Sequence, residues 1–470
     1  MTDVAVYGAT ACGVMAAVAA HRAGASTVLV EPGSHIGGMV SGGLSWTDVG
    51  DTRVLGGLCR TFYESVAGHY GASLWEVRGP EPHVAERLLE AMLEGVEVRL
   101  GTDGLPDAAV VVDAGYEGDA MAAAGVSYAV GRESTELYGE RWAGRQPAYR
   151  PSRHNFSVLI DPFARDGSLL PGIREPELDD QGWPSERIGE GDGGLQAYAY
   201  RVCLSHGEER VPIEPPEGFD EREFELLRRY VEATGDGVPD GLVRDLLPNA
   251  KCDVNSIGPV SLNVLDGSNR DYLDGDRDAV REHHRRYTEG YLFFLAERGL
   301  LDGWGFAPDE FDGGLPHQLY VRDGRRMLGE HVLTEHDVLG ARTQEDVVAL
   351  GSYNLDVREV ERTWRYLPEF VRTPAVFNEG YLSVEVPLYP IPYRALTPRR
   401  EDSERLLVPL CLSASHVAFS SVRMEPTLML LGEAAGTAAA QAARRGVAVQ
   451  DVDVARLQDD LRDAGAVLAA

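Results

Sequence analysis

Basic residues are scarce in this 470-residue chain: 44 lysines and arginines stand against 75 aspartates and glutamates, a net charge of −31. A surface of that sign repels phosphate backbones and anionic headgroups, so neither nucleic acid nor a membrane is an expected partner. It does not fix the charge of a small substrate, because a local arginine cluster overrides the average. Cysteine is sparse too. Cys12, Cys59, Cys203, Cys252 and Cys411 are odd in number and far apart, with no C-x-x-C. That argues against a disulfide framework or a zinc site and for reduced thiols in a cytoplasmic setting. Apolar runs such as Ala11 to Ala20 are too short to span a bilayer, and the first strand begins by about Asp3, so no secretory leader is expected. No histidine or acidic cluster has metal-ligand spacing, since His283 and His284 are adjacent and point apart on a helix. A G-x-S-x-G nucleophile elbow is also missing.

What is there begins at once. Val4 to Tyr7 reads as a buried strand, Gly8-Ala9-Thr10-Ala11-Cys12-Gly13 as a tight turn, and Val14 to Ala23 as a helix of small apolar residues. Thr27 to Val30 follows as a second strand with Glu31 at its carboxyl end. A strand, a Gly-rich turn, a helix and an acid about twenty residues on make a dinucleotide-binding βαβ unit. The helix N-terminus offers free amides to a pyrophosphate, and Glu31 can accept from ribose hydroxyls. Thr10 stands where the middle glycine is usual. After Glu31 come Pro32 and a second Gly-rich loop with Gly37, Gly38 and Met39, then a third with Gly42 and Gly43. Glycines so dense are expected to let backbone lie flat against a large planar ligand, which favours FAD over NAD.

The length calls for two domains. Residues 1–120 read as the first part of an FAD-binding domain, with a helix at Pro82 to Leu93, a strand at Val96 to Leu100 and a buried strand ending at Ala114. The following turn, with Gly118 and Asp119, is expected to lie near the cofactor. Residues 121–394, rich in Pro, Gly, Asp and Arg, read as an inserted α+β substrate domain. Helices are expected there at 221–233, 276–298 and 355–366, and strands at 196–204 and 381–387. Residues 395–470 complete the FAD-binding domain with a strand at Arg405 to Leu412 and a long helix from Glu425 to Arg445. The fold class is therefore α/β: a Rossmann-like parallel sheet with helices on both faces and an inserted domain. The small faces of the first and long helices, Gly13, Ala16, Ala17 and Ala20 against Gly432, Ala435, Gly436 and Ala439, are expected to pack closely. Pro426 suits the first helical position, and the helix start around Glu425, Pro426 and Met429 is expected to face the flavin pyrimidine, where its dipole would stabilise charge on reduction.

Ordered stretches along nearly the whole chain resemble the bacterial FAD-dependent oxidoreductases often mislabelled as xanthan lyases. They include Tyr7 to Gly13, Glu31 to Gly43, Tyr116 to Asp119, Gln318 to Arg322 with Arg326-Met327, Gly351 to Asn354, Tyr389 to Arg394, and Ser413 to Pro426. The resemblance implies a fold like the glutathione-reductase and fumarate-reductase flavoproteins, with extended FAD, and Thr10 is familiar at its position there. One departure stands out. Relatives carry a β-meander between the strands near Val96 and Val110, whereas here only Gly101 to Ala109 separates them. That leaves the cofactor edge more open, or covered by a second copy in a homodimer.

The expected activity is a dehydrogenase or oxidase that takes hydride from a small polar metabolite, a sugar-like alcohol or an amine, onto flavin N5, with the electron acceptor open. A redox-neutral flavoenzyme and a nucleotide- or nucleic-acid-modifying flavoprotein are the alternatives. His416 is the first candidate for the base. Arg423 is expected to assist at the flavin, and Tyr393 and Arg394 to bind substrate at the domain junction. Tyr320, Arg326 and Asn354 are further substrate-side candidates.

Overall fold

The computed structural model describes residues 2–180, 183–235, 242–243, 245–367 and 373–469. Its centre is a five-stranded parallel sheet. Strand β1 (Thr2–Tyr7) lies between β2 (Thr27–Glu31) and β4 (Ala108–Asp113); β3 (Glu97–Leu100) extends one edge beside β2, and the short strand Leu406–Leu407 extends the other beside β4. The central strands are apolar because both faces are covered: Val4, Ala5, Val6, Leu29 and Val112 are buried. Helix α1 (Ala11–Arg22) and the long helix Glu425–Arg445 pack on this sheet and on each other. Their contact is backbone on backbone. A Cβ built on Gly432 would lie 2.1 Å from the Cys12 carbonyl oxygen, and one on Gly436 only 2.0 Å from that of Ala16. The small-residue stripes therefore act as expected.

Residues 101–107 join β3 to β4 without a strand of their own. The Gly101 amide donates to Gly33 O at 2.8 Å, so the connection doubles back across the loop that follows β2. Between β4 and Leu406 lie smaller antiparallel sheets. One has four strands, in the order Asp245–Leu247, Lys251–Val254, Val202–Ser205 and Gly305–Phe306. Helices Glu225–Thr234 and Arg277–Glu297 fall where periodicity puts them. The expected strand at 196–204 narrows to Val202–Ser205, that at 381–387 to Leu382–Val384, and that at 405–412 to Leu406–Leu407. The expected helix at 355–366 is wrong: this segment forms two strands, Leu355–Val357 and Glu361–Tyr366, paired with Leu382–Val384 and Pro374–Glu379. Asp356, Arg358, Glu359, Glu361, Arg362 and Arg365 leave no clean apolar stripe for a helix. As strands, the segment gains backbone partners and buries its charged side chains in pairs.

Candidate functional site

The turn after β1 explains its own sequence. Thr10 caps α1, its Oγ1 accepting the Gly13 amide at 3.0 Å, and the same hydroxyl donates to Ala114 O at 2.8 Å. Threonine at this position thus ties the turn to the end of β4 and closes the helix start. Gly8 has φ +91° and sits against Ala114 and Gly115, and a Cβ on Gly13 would fall 1.9 Å from Gly8 O. Only glycine fits either place. Ala11 and Cys12 open α1 and are buried. Glu31 ends β2 with one carboxylate oxygen accepting the Ala9 amide at 2.7 Å and the other the Gly33 amide at 2.7 Å. It lines a groove of about 560 Å³, which Gly8, Thr10, Pro32, Gly38, Tyr116 and Asp119 also line.

Tyr116 lies on the wall of this groove. It also lines a buried chamber with Met39, Tyr320, Arg322, Phe419, Arg423 and Glu425, about 10 Å³ as the side chains stand, room for about one water. The Tyr116 hydroxyl accepts the Met39 amide at 2.9 Å and donates to Glu425 Oε1 at 2.8 Å. Burial pushes the Glu425 carboxyl up to about 7, against the opposing effect of the Tyr116 hydrogen bond. Arg423 donates to the Tyr320 hydroxyl at 3.2 Å and to Asp356 O at 2.8 Å. Arg423 Nε and Glu425 Oε2 are buried with no protein partner among the described residues. Buried polar atoms are rarely left so. A donor and an acceptor orphaned together at the start of the long helix complement the carbonyl and imide groups of a flavin ring. The groove, the turn and this pair fit FAD.

Several sequence-derived assignments need correction. Protein packing alone accounts for Gly42 and Gly43: a Cβ on Gly42 would lie 2.4 Å from Gln318 Cβ, and one on Gly43 2.0 Å from Arg201 O. Gly38 is needed because the Tyr116 ring passes over it, and Gly37, with φ +106°, is crowded by Ser41 and Leu89. Gly118 caps a short helix in a left-handed conformation, packed on Met121 and Cys411. Pro426 and Met429 are buried in the long helix and do not line the chamber; Leu428 does. Asp119 reaches the groove but is paired with Arg277 at 2.6 Å and Arg325 at 3.0 Å.

Of the catalytic candidates, Arg423 and Tyr320 meet in the chamber, and the others do not. His416 begins the helix His416–Val422, about 10 Å from Arg423 at 1.5 Å per residue. It lies among Glu133, Arg326 and Arg132, and burial drives its pKa down to about 3, so it is neutral but not at the chamber wall. Arg326 is a buried pin, bonded to Glu133, Gly131 O and Ala414 O. Tyr393 donates to Val449 O at 2.7 Å, and Arg394 is paired with Asp346 at 2.9 Å, both on a separate cleft. Asn354, half-buried, precedes the strand Leu355–Val357 and lines neither part of the site.

Sequence reasoning missed Arg277 and Arg281, which reach the groove from the helix Arg277–Glu297, and the stacked pair His35 and His317, with ring centroids 3.9 Å apart. It also missed a carboxylate cage. Glu81, His83, Asp309 and Glu310 converge, and Lys251, the chain's one lysine, places its ammonium among them, 2.6 Å from Glu81 and 2.7 Å from Asp309. No local spacing signals either group, because the fold brings the members together from distant segments.

A parallel five-stranded sheet with a capped Gly turn, an acid closing its second strand and a buried polar chamber is the architecture of a dinucleotide-binding flavoprotein. A family model described as FAD dependent oxidoreductase matches residues 3–106 and 101–461. The chain belongs to that family, and FAD is its cofactor. Solved structures match only parts of the chain, at low similarity. Thioredoxin reductase of T. acidophilum is 15% identical over 24% of this chain and 34% of its own, TM-score 0.16. THI4 of Thermovibrio ammonificans is 17% identical over 28% and 66%, TM-score 0.21. OxyS anhydrotetracycline hydroxylase from Streptomyces rimosus is 17% identical over 35% and 38%, TM-score 0.20. The chain thus spans about a third of the reductase and the hydroxylase and about two thirds of THI4. No curated protein matches it.

Proposed function

We propose that the protein oxidises a small polar metabolite, an alcohol or an amine, with FAD as its two-electron acceptor. The observation that carries this reading is the buried chamber that shares Tyr116 with the dinucleotide groove, where Tyr320 and Arg423 are held together and Arg423 Nε and Glu425 Oε2 lack protein partners among the described residues. Bound FAD supplies the two-electron chemistry. The chain's own residues orient the reactant, and the chamber, about 10 Å³ as its side chains stand, widens to admit it. Tyr320 offers a hydroxyl already polarised by Arg423, and Met39, Phe419 and Leu428 exclude water, which strengthens each polar contact inside. Glu425, with its carboxyl near 7, is able to hold or release a proton at neutral pH. No helix of the described residues is long and apolar enough to cross a membrane. The open edge left by the short 101–107 connection is the proposed face for a second copy.

The test is anaerobic mixing of the FAD-loaded protein with a panel of alcohols and amines, followed by flavin absorbance. Bleaching by a member of either class, slowed at least tenfold in Arg423→Met with FAD retained, is the expected result. A flavin that dithionite reduces but no alcohol or amine does contradicts the proposal.

A further inference from the structure

Among the described residues, Arg322 is the buried arginine with the most unpartnered nitrogens. Its side chain is fully buried, yet only Nη1 has a protein acceptor, Ala197 O; Nε and Nη2 have none among the described residues. Nε and Nη2 share one edge of the guanidinium, the edge that grips a carboxylate with two parallel hydrogen bonds. The plane is fixed by the Tyr320 ring, whose centroid is 4.2 Å from the guanidinium carbon. Tyr320 in turn accepts from Arg423, so one aromatic ring positions two cations on the chamber wall.

The surrounding charges leave this edge uncompensated. Arg358 is paired with Glu359 at 3.3 Å, and Arg423 with Asp356 at 3.4 Å. Asp323, on the same wall, accepts from the amide and side chain of Gln196, both at 3.1 Å, and Glu425 is engaged by Tyr116. No carboxylate of the described residues bonds to Arg322. Burial and the neighbouring cations Arg358 and Arg423 lower its pKa to about 9. A buried guanidinium without a counter-charge is costly, and one bound anion would offset that cost.

We propose that Arg322 is the anchor for a monoanionic carboxylate, so that the metabolite oxidised here is a small carboxylic acid bearing an alcohol or amine. This rests on the proposed oxidation reading and narrows its substrate class. One uncompensated cation calls for a single negative charge, and the orphaned side-on edge calls for a planar, two-oxygen group.

The test uses the wild-type, FAD-loaded protein and follows the flavin spectrum during titration with lactate and alanine, then with lactamide and alaninamide. Saturable perturbation by the acids, with at least tenfold weaker binding of the neutral amides, is expected. Equal binding of acids and amides overturns the proposal without touching the flavin reading. In Arg322→Gln, checked for folding by circular dichroism, FAD should stay bound while acid binding weakens at least tenfold. Arg322→Lys, which keeps charge but loses the fork, should also weaken it. A folded Arg322→Gln that has lost FAD instead assigns the guanidinium to the cofactor and refutes the carboxylate anchor. A wild-type protein with no flavin band at all would be the failure of the broader reading.

Discussion

Gly436→Ala puts the packing of α1 on the long helix to a quantitative test. In isolation the change should help, since alanine in a helix interior is favoured over glycine by about 1 kcal/mol. In the folded protein the new methyl would lie 2.0 Å from the Ala16 carbonyl oxygen and 2.9 Å from its Cα. An ordinary carbon-to-carbonyl contact is about 3.3 Å, so the helices must separate by more than an ångström or bend. A gap of that size forfeits roughly a quarter to a half of the contact energy along the interface. Overpacking usually costs about 1–3 kcal/mol; here both partners are backbone, so the upper end applies and the net loss is about 2 kcal/mol. Because α1 begins at the Thr10 cap, FAD affinity should fall with stability. Thermal unfolding by circular dichroism, with and without FAD, gives the answer. Gly68→Ala is the control: Gly68 lies on the exposed face of the helix Gly57–Tyr70 with nothing within 4 Å of its Cβ position. If Gly436→Ala is as stable as Gly68→Ala, the close-packing account is wrong.

Two further outcomes follow from the site. Glu425, Asp113, Glu140 and Glu433 are each raised to about 7 by burial. Such carboxyls bind protons more tightly folded than unfolded, so their ionisation costs stability as pH rises from about 4.5 through 7. Glu425→Gln should therefore shrink the drop in melting temperature between pH 5.5 and pH 8 measured on flavin-free protein; an unchanged drop contradicts the assigned burial cost. Arg394→Ala breaks a half-exposed ion pair with Asp346. It should cost about 0–1 kcal/mol in denaturant titrations and leave the rate of flavin reduction within twofold; a large loss of rate would return Arg394 to the reacting centre.

The nucleotide half was legible because its signals are local. A strand, a capped turn and a small-residue helix each announce themselves within ten residues, and the long helix runs over Glu425–Arg445 as its composition requires. The segment 355–366 was misread because its charges are satisfied by partners far away in sequence, Arg362 by Asn378 and Pro259 O, Glu361 by Arg145 and Arg174. Gly42 and Gly43 show the converse: glycine density marks close approach, and here the approaching groups are the Gln318 side chain and the Arg201 backbone. His416 and Arg394 looked reactive by residue type and by place in the chain order. Burial and pairing, invisible in sequence, assign both elsewhere. Arg322 escaped notice because an arginine's meaning lies in which acceptors it lacks.

The central claim is that FAD occupies the groove from Glu31 to Glu425, and one titration tests it most directly. Flavin-free protein titrated with FAD, followed by flavin absorbance and fluorescence, should saturate at one FAD per chain. In Glu31→Ala, which removes a charged acceptor of the ribose side, affinity should fall by roughly 1.5–3 kcal/mol, about tenfold or more. Absence of saturable FAD binding by the wild-type protein, or Glu31→Ala binding as tightly as wild type, would contradict the account.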